Sequence, residues 1–377
     1  YITGNLLVSF FGGTIWLSKA YGLFGAKIGN MTFIEDTFIR VPFFVSLGNG
    51  VVIQSGARLE TIRFLPNGNI ETGKLLLETN TVIGCNSFVG LGSTIGSSSI
   101  INSLSIVPGK SNIPENTSII GVEVFQNSED IHDALESHIT SSSSEFAEGP
   151  LSRHIFYLFI TCLPGLFQPA LLISGYASIY SLFSEDVYLA LLIIVLVYPL
   201  VTALVIFISA MLVIPMRFWV KSGKKASPML TQLYSKPFLQ QWTYFKLYQA
   251  CINSLRGTIV SRCVGKLFGS RVNLSSHFTM EPEEADLTQM GKNVFTANNV
   301  KLRNTSFYPG GRVKFGRVEL GNLSFVLDRL VVEADNKIES NVMVDSLTRV
   351  PSNMETTSGS LLLGNPSLKM PIRSQHD

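Results

Sequence analysis

A six-residue spacing of aliphatic side chains constrains the fold of this chain more than any other feature. The spacing runs unbroken through seven positions: Ile83, Val89, Ile95, Ile101, Val107, Ile113 and Ile119. Small or turn-forming residues often follow the aliphatic one, as at Gly84, Gly90 and Pro108. A step of six matches neither the period of a helix nor the alternation of a strand. It predicts a left-handed parallel β-helix, in which three hexapeptides close one triangular turn and stacked turns bury an aliphatic column.

A second copy of this pattern lies 243 residues further along the chain. The equivalent positions are Val326, Val332, Ile338, Val344, Val350, Thr356 and Leu362, of which six are aliphatic. Pro66 maps onto Pro309 at the same offset, and Gly13 maps onto Gly257 with one extra residue. The chain is therefore predicted to hold two copies of one module, each with an apolar helix, a short Gly-Thr element and a β-helix.

Two long runs without charge separate these modules. They cover 155–183 and 187–216, which are 29 and 30 residues long. Each exceeds the roughly 20 residues that cross a bilayer core of about 30 Å. Arg153 precedes the first run and Lys221 follows the second, whereas the connection 184–186 carries only acidic charge. The positive-inside rule then predicts a transmembrane hairpin with both β-helix modules in the cytosol, and a pair of buried core helices is the alternative.

The predicted fold class is mainly β plus transmembrane α, with two left-handed parallel β-helices of hexapeptide repeats flanking a transmembrane helical hairpin. The predicted domain limits are 1–26 for an apolar or interfacial helix, 27–125 for the first β-helix module, 126–153 for a Ser-rich linker, 154–220 for two transmembrane helices, 221–268 for amphipathic interfacial helices, 269–368 for the second β-helix module and 369–377 for a tail. The aromatic and basic side chains of 221–268 favour a membrane surface, with a soluble packing helix as the alternative.

Composition excludes several classes of function. Lys and Arg number 29 against 27 Asp and Glu, so a net charge of +2 gives no footprint for nucleic-acid binding. Cys85, Cys162, Cys251 and Cys263 show no CxxC spacing, so we expect neither a disulfide framework nor a metal site. The charge-free runs contain too few polar residues for a transporter.

The sequence leaves the catalytic residue open. Left-handed β-helices of this class most often belong to acyltransferases, which deprotonate the acceptor with a loop histidine. The histidines here are His132, His138, His154, His277 and His376, and none falls at a matching position in both copies. The usual base is therefore absent or replaced. Candidate substitutes are Asp36, Asn102, Ser105 and Asp345, together with their neighbours Glu35, Ser103 and Ser346. For each of them the alternative is a turn residue that satisfies backbone groups.

Several short motifs carry a family resemblance. They are Gly13-Thr14, Leu23-Phe24-Gly25-Ala26-Lys27-Ile28-Gly29, Leu47-Gly48-Asn49-Gly50, Ser103-Leu104-Ser105-Ile106-Val107-Pro108 and Leu363-Gly364-Asn365-Pro366. Their order resembles the membrane-bound C-terminal region of poly-amino-acid synthetases related to nonribosomal peptide synthetases, with ε-poly-L-lysine synthetase as the known type. The tandem acetyltransferase-like modules match as well, and the resemblance covers nearly the whole chain.

The resemblance implies a membrane-anchored acyltransferase-like region that forms amide bonds. An aminoacyl thioester on a phosphopantetheine arm would be attacked by an amine, while the protein positions both groups. No cofactor would be bound covalently, because a carrier domain outside this chain supplies the arm. The implied partners are the lipid bilayer, adenylation and carrier domains acting upstream or in trans, and a homo-oligomer. On this view the chain, which starts at Tyr1, is a fragment or a truncated relative. The competing interpretation is an inactive membrane-tethered β-helix scaffold or oligomerisation module.

Overall fold

Short parallel strands wind into two three-sided coils in the computed structural model of the chain. The structure describes residues 8, 11–126, 151–182, 229–252, 259–278 and 284–371, with isolated positions 188, 192, 195–197, 208, 211 and 215. The first coil contains β1 (Lys27–Ile28), β2 (Phe33–Ile34), β3 (Val45–Leu47), β4 (Val52–Ile53), β5 (Arg58–Leu59), β6 (Ile62–Phe64), β7 (Ile70–Thr72), β8 (Leu75–Leu77), β9 (Val82–Ile83), β10 (Phe88–Val89), β11 (Thr94–Ile95), β12 (Ile100–Ile101), β13 (Ile106–Val107), β14 (Asn112–Ile113), β15 (Thr117–Ile120) and β16 (Glu123–Gln126).

The second coil repeats this order after a separate strand, β17 (Met229–Gln232). It contains β18 (Arg271–Val272), β19 (His277–Phe278), β20 (Thr288–Met290), β21 (Phe295–Thr296), β22 (Lys301–Leu302), β23 (Thr305–Tyr308), β24 (Arg312–Phe315), β25 (Val318–Leu320), β26 (Phe325–Val326), β27 (Val331–Val332), β28 (Asn336–Ile338), β29 (Met343–Val344), β30 (Arg349–Val350), β31 (Ser360–Leu363) and β32 (Leu368–Pro371). The helices are α1 (Ile15–Leu23), α2 (Leu151–Leu182), α3 (Lys236–Ile252) and α4 (Ile259–Leu267), with short 3₁₀ turns at Pro42–Phe44 and Ala285–Leu287.

The strand register gives each coil its three sides. In the first coil Val82 pairs in parallel with Ile100, and Ile100 pairs with Ser118, so one turn takes 18 residues, or three hexapeptides. All seven aliphatic residues of the six-residue series lie in one buried cluster, which Leu17 and Tyr21 of α1 extend. The second coil keeps the same turn, because Phe325 pairs with Met343. The left-handed sense of both coils and the domain limits stay predictions.

Close stacking of turns explains the glycines that follow the inward aliphatic residues. A Cβ on Gly84 would lie 2.4 Å from the backbone nitrogen of Ser103 in the next turn. Thr356 breaks the aliphatic series of the second coil and is half-buried there. Its hydroxyl accepts from the Glu339 N–H at 2.8 Å and donates to the Lys337 carbonyl at 3.0 Å. The polar exception is therefore bonded to the backbone of the preceding turn.

Each coil is interrupted by one antiparallel hairpin at the equivalent place. The first hairpin joins β6 to β7 and the second joins β23 to β24. Strand β17 extends the second hairpin, with Met229 opposite Phe315. Within the described residues the first hairpin stays a two-stranded sheet.

An aromatic cluster joins the two coils. Phe33 on the outside of the first coil lies 4.9 Å, ring centroid to ring centroid, from Phe307 of the second hairpin. Phe238 and Trp242 of α3 pack edge-on against the Phe33 ring, with centroid separations of 5.7 and 5.3 Å. The aromatic side chains expected at a membrane surface in 221–268 are thus buried within the protein, which matches the alternative of a packing helix.

The predicted transmembrane hairpin is wrong. Among the described residues, no helix combines the length and the apolar character needed to span a bilayer. This finding overturns the transmembrane part of the fold class and the integral-membrane location with cytosolic modules. The first charge-free run forms α2, where Tyr157 is buried in the same apolar cluster as Trp242, and Ile160 is buried in the same cluster as Tyr244. Apolar residues of this run therefore serve contacts with α3, and the second run, 187–216, lies outside the described residues apart from isolated positions.

Candidate functional site: the cleft between the coils

A cleft of about 700 Å³ lies between the two coils. One wall is the outer surface of β9 and β12 in the first coil. The other wall is formed by the second hairpin, by β17 and by the turn after β30. Met229, Leu230 and Phe307 contribute apolar surface, while a polar corner stands where the turn after β12 meets β30. The cleft therefore combines an apolar wall with convergent polar groups, as small-molecule sites usually do.

Four side chains from both coils form the polar corner. Arg349 donates two hydrogen bonds to Glu333, at 2.7 and 3.1 Å, and a third to the Asn102 side-chain oxygen at 2.9 Å. The Ser103 hydroxyl donates to Glu333 at 3.3 Å. This bidentate arginine–carboxylate geometry fixes both groups in one plane. The corner is a single network, in which each coil supplies two members.

The hexapeptide geometry explains why these residues meet. Arg349 is the first residue of β30 and Asn102 directly follows β12, so both lie outside the inward column. The Asn102 amide donates to the Ser118 hydroxyl at 2.8 Å and to the Ile119 carbonyl at 3.0 Å in the next turn. Because its amide is held by its own coil, its side-chain oxygen is aimed at Arg349.

Two further polar groups face the cleft from the second hairpin. Burial raises the pKa of the Tyr308 phenol; Lys314 opposes this rise and the carboxylates of Glu333 and Asp335 add to it, so the phenol stays protonated as a donor. Lys314 pairs with Asp335 at 2.7 Å. Tyr308 therefore offers a hydrogen-bond donor towards the cleft, while the Lys314 ammonium is engaged by Asp335.

A buried ion pair between the coils adjoins the cleft. Arg303, on the cleft wall, donates to both carboxylate oxygens of Glu35 at 2.8 and 3.0 Å. Glu35 also accepts from the Ser55 backbone N–H at 3.0 Å. Lys301 donates to the Ser55 hydroxyl at 2.7 Å, which adds a second bond between the coils.

The structure separates the four predicted catalytic candidates. Asn102 lies in the cleft, as described above. Asp36 accepts from the Ser55 hydroxyl at 2.6 Å and from the Gly56 N–H at 2.7 Å, so it fastens one coil turn to the next. Ser105 is fully buried between turns, where its hydroxyl donates to the Ile119 carbonyl.

Asp345, the fourth candidate, is the equivalent of Asn102 in the second coil. Its carboxylate accepts from the Ser346 N–H at 2.7 Å, in the manner of a turn residue. It is half-buried and does not line the cleft. Of the four candidates, the structure brings Asn102 alone into the cleft, and it adds the neighbouring candidate Ser103.

The described histidines and cysteines are not among the residues that line the cleft. His154 is buried beside Tyr234, and His277 is exposed on the outside of the second coil, stacked on Phe295. Cys85 is buried 3.4 Å from the side-chain oxygen of Gln54. Burial raises the pKa of Cys251 to about 12, so this thiol is not ionised near neutral pH. No cluster of three or more His, Cys, Asp or Glu side chains is placed to hold a metal ion in the described part of the chain.

Sequence reasoning missed Arg349, Glu333 and Tyr308. Arg349 and Glu333 stand where the first copy has Ile106 and Gly90 at the offset of 243 residues. A comparison of the two copies for gains of charge at outward positions would have found both. Tyr308 replaces Leu65 in the same comparison.

Comparison with known proteins gives one relationship that runs along nearly the whole chain. No protein-family profile matches the chain. Delta-poly-L-ornithine synthetase of Acinetobacter baumannii strain AB307-0294 aligns with 96% of this chain at 21% identity. The chain is distantly similar to that synthetase. It spans 27% of the length of that relative.

Two solved structures overlap a third or less of the chain. A point mutant of AntD, an N-acyltransferase from Bacillus cereus, covers 30% of this chain and 67% of its own at 20% identity, with a TM-score of 0.21. A hexapeptide-repeat-containing acetyltransferase from Vibrio cholerae covers 33% of this chain and 85% of its own at 13% identity, with a TM-score of 0.25. Overlaps this low establish neither fold nor function.

Proposed function

We propose that this chain is an acyltransferase-type region that forms amide bonds from carrier-bound aminoacyl thioesters, and that the cleft between the coils is its active site. The observation that carries the proposal is the similarity to a poly-amino-acid synthetase over 96% of the chain. The cleft supports it, because it is large enough for a pantetheine arm and has a polar corner supplied by both coils.

The proposed reaction needs few groups from the protein. The acceptor amine attacks the thioester carbonyl carbon, so that a C–N bond forms, the C–S bond breaks and the pantetheine thiol leaves. The proton lost by the amine ends on the thiol sulfur. Glu333 is proposed to hold the amine and relay this proton, because its carboxylate faces the cleft beside Ser103.

Charge that develops on the carbonyl oxygen also needs donors. Arg349 and the protonated phenol of Tyr308 are proposed to supply them, since both line the cleft. Asn102 is a positioning residue, because its side-chain oxygen fixes the Arg349 guanidinium. The apolar wall at Met229, Leu230 and Phe307 would contact the arm.

The proposed partners follow from this chemistry. A phosphopantetheine-linked donor requires a carrier domain and an adenylation domain that loads it, either upstream or in trans. The ornithine polymer named for the synthetase makes an ornithine thioester the first donor to test, with a lysine thioester as the second.

The test is amide formation by the full chain from aminoacyl-pantetheine and a free diamino acid, measured by mass spectrometry. We expect turnover by the wild-type chain and a loss of at least about 100-fold in kcat for Glu333→Gln, the range for removing a general acid–base group. Glu339→Gln is the matched control, since Glu339 pairs with Lys337 on the outside of the same coil. Equal rates for both variants would remove Glu333 from the mechanism. Absence of turnover with every donor, presented on pantetheine or on a carrier, would overturn the function.

A non-enzymatic scaffold is the second candidate function. The observation in its favour is that the cleft cations are engaged by carboxylates: Arg349 by Glu333, Lys314 by Asp335 and Arg303 by Glu35. On this reading the polar corner serves to hold the two coils together. A folded chain without turnover, in which Glu333→Gln weakens coil-to-coil packing, would support the scaffold.

A further inference from the structure

The two coils meet through an outward face of the first coil and the hairpin of the second, and the counterparts of both surfaces are exposed or half-buried in the part of the chain that the structure describes. The first coil contributes an outward ladder of Val52, Val82 and Ile100, all buried at the junction. The second coil contributes Phe307 and Val313 of its hairpin to the same cluster. Because the coils are copies, the second coil has its own ladder and the first coil has its own hairpin.

The open hairpin side of the first coil is apolar and exposed. We define the hairpin patch as Phe64, Ile70, Ile106 and Val122, which are 67, 59, 48 and 69% exposed. At the offset of 243 residues they correspond to Phe307, Val313, Arg349 and Asn365. Phe307, Val313 and Arg349 are buried at the junction, and the Asn365 amide donates to the Ser103 and Leu104 carbonyls of the first coil. The hairpin patch thus presents four apolar side chains where its copy makes contacts.

The open ladder side of the second coil is apolar as well. We define the ladder patch as Phe295, Phe325, Met343 and Leu347, which correspond to Val52, Val82, Ile100 and Leu104. Phe325 and Leu347 are exposed, while Phe295 and Met343 are half-buried. The rings of Phe295 and Phe325 lie 6.3 Å apart, centroid to centroid, and form a continuous outward row. Exposed apolar patches of this kind mark interaction surfaces.

We propose that the hairpin patch of one copy of this chain docks on the ladder patch of a second copy, in the arrangement that already joins the two coils within the chain. The occupant is a second copy because the chain carries both halves of a contact that it demonstrably makes once. Such a contact is heterologous, head to tail, so it leads to a ring where the rotation closes and to a filament where it does not. The contact is apolar on both sides and therefore withstands added salt.

The second copy would also complete a second cleft. In this arrangement its hairpin, β6 and β7, forms the wall that β23 and β24 form in the existing cleft. The corner of the new cleft would carry Asp345 and Ser346 in place of Asn102 and Ser103, with Ile106 and Gly90 of the second copy in place of Arg349 and Glu333. This gives the fourth catalytic candidate from the sequence a place between coils. The docking itself does not rest on the proposed function, because it depends on the exposed apolar residues of the two patches.

The test is sedimentation velocity of the full chain as a function of protein concentration, at low and high salt. We expect concentration-dependent association of the wild type at both salt levels. Phe64→Glu, in the hairpin patch, and Phe325→Glu, in the ladder patch, should each abolish it. Leu23→Glu is the matched control, because Leu23 is 89% exposed at the end of α1, outside both patches. A wild type that stays monomeric throughout would overturn the proposal.

Mixing the two variants distinguishes head-to-tail docking from a symmetric interface. Each variant keeps the surface that the other has lost, so an equimolar mixture should give one-to-one dimers that grow no further. A symmetric interface or general misfolding would leave the mixture monomeric, and that result would also overturn the proposal. Circular dichroism of each variant provides the check on folding.

Discussion

Glu35 of the first coil and Arg303 of the second form an ion pair at 2.8 Å, with 5 and 2% of their side chains exposed. They lie 268 residues apart in the chain. A buried pair of this kind need not add stability, but it is costly to break, because the remaining charge cannot be solvated. It therefore makes the match between the two coils specific.

We predict that Arg303→Ala destabilises the chain by about 3 to 5 kcal/mol, since it leaves the Glu35 carboxylate buried and unpaired. The double variant Glu35→Gln, Arg303→Met should recover most of this loss, because no charge is then buried. Urea denaturation measures both values. Arg329→Ala serves as the control, because its pair with Asp328 is exposed and should contribute at most about 1 kcal/mol. Equal losses for Arg303→Ala and Arg329→Ala would contradict the burial argument.

A second prediction concerns the polar corner. Asn102→Ala removes the oxygen that fixes the Arg349 guanidinium, so kcat for amide formation should fall by about 10-fold or more while KM changes little. The control is Asn112→Ala, which alters an exposed asparagine on another side of the same coil. Steady-state kinetics of both variants measures kcat and KM separately. A rise in KM at constant kcat would instead place Asn102 in substrate binding.

A third prediction concerns the stacking of turns beside the cleft. Gly84→Ala should destabilise the chain by about 1 to 3 kcal/mol, because the new Cβ meets the backbone of Ser103 and the turn has to move. Gly22→Ala in α1 meets nothing within 4 Å and should stabilise by about 0.5 to 1 kcal/mol. Thermal and urea denaturation show whether each substitution lowers or raises the free energy of unfolding. A neutral Gly84→Ala would mean that adjacent turns stack less tightly than the structure shows.

The raised pKa of Tyr308 leads to a prediction about pH. The folded state binds the phenolic proton more tightly than the unfolded state, so this contribution to stability is fully present below about pH 10 and is lost as pH rises through the raised pKa. Tyr308→Phe should therefore lose less free energy of unfolding than the wild type between neutral and alkaline pH. Tyr188→Phe, at an exposed tyrosine, is the control and should follow the wild type. If the free energy of unfolding of the wild type and of Tyr308→Phe changed with pH in parallel, the raised pKa of this phenol would be contradicted.

The sequence predicted the coils well because each strand is encoded locally. Ile83 and Ile101 mark the inward position of their own hexapeptides, and no distant residue is needed to read that step. The cleft is different, since Ser103 and Glu333 are 230 residues apart and meet through the packing of two coils. The residue types at the outward-facing positions of the hexapeptides do not repeat at a fixed spacing. The contacts that they make with the other coil therefore cannot be predicted from spacing.

The membrane hairpin was predicted wrongly for a related reason. A charge-free run indicates that its side chains are removed from water. Burial in lipid and burial against other protein side chains both achieve this. Tyr157 and Ile160 are buried in the same clusters as Trp242 and Tyr244 of α3, which were predicted to lie at a membrane surface. Hydropathy alone does not reveal that part of such a segment packs against another helix of the protein.

Photoaffinity labelling tests most directly the central claim that the cleft between the coils binds the acyl donor. The probe is a pantetheine amide of ornithine with a diazirine on the acyl group, and peptide mass spectrometry locates the label. We predict labelling within 305–314 and 349–353, suppressed by an excess of ornithinyl-pantetheine. Labelling outside the cleft, or labelling that the competitor does not suppress, would contradict the claim.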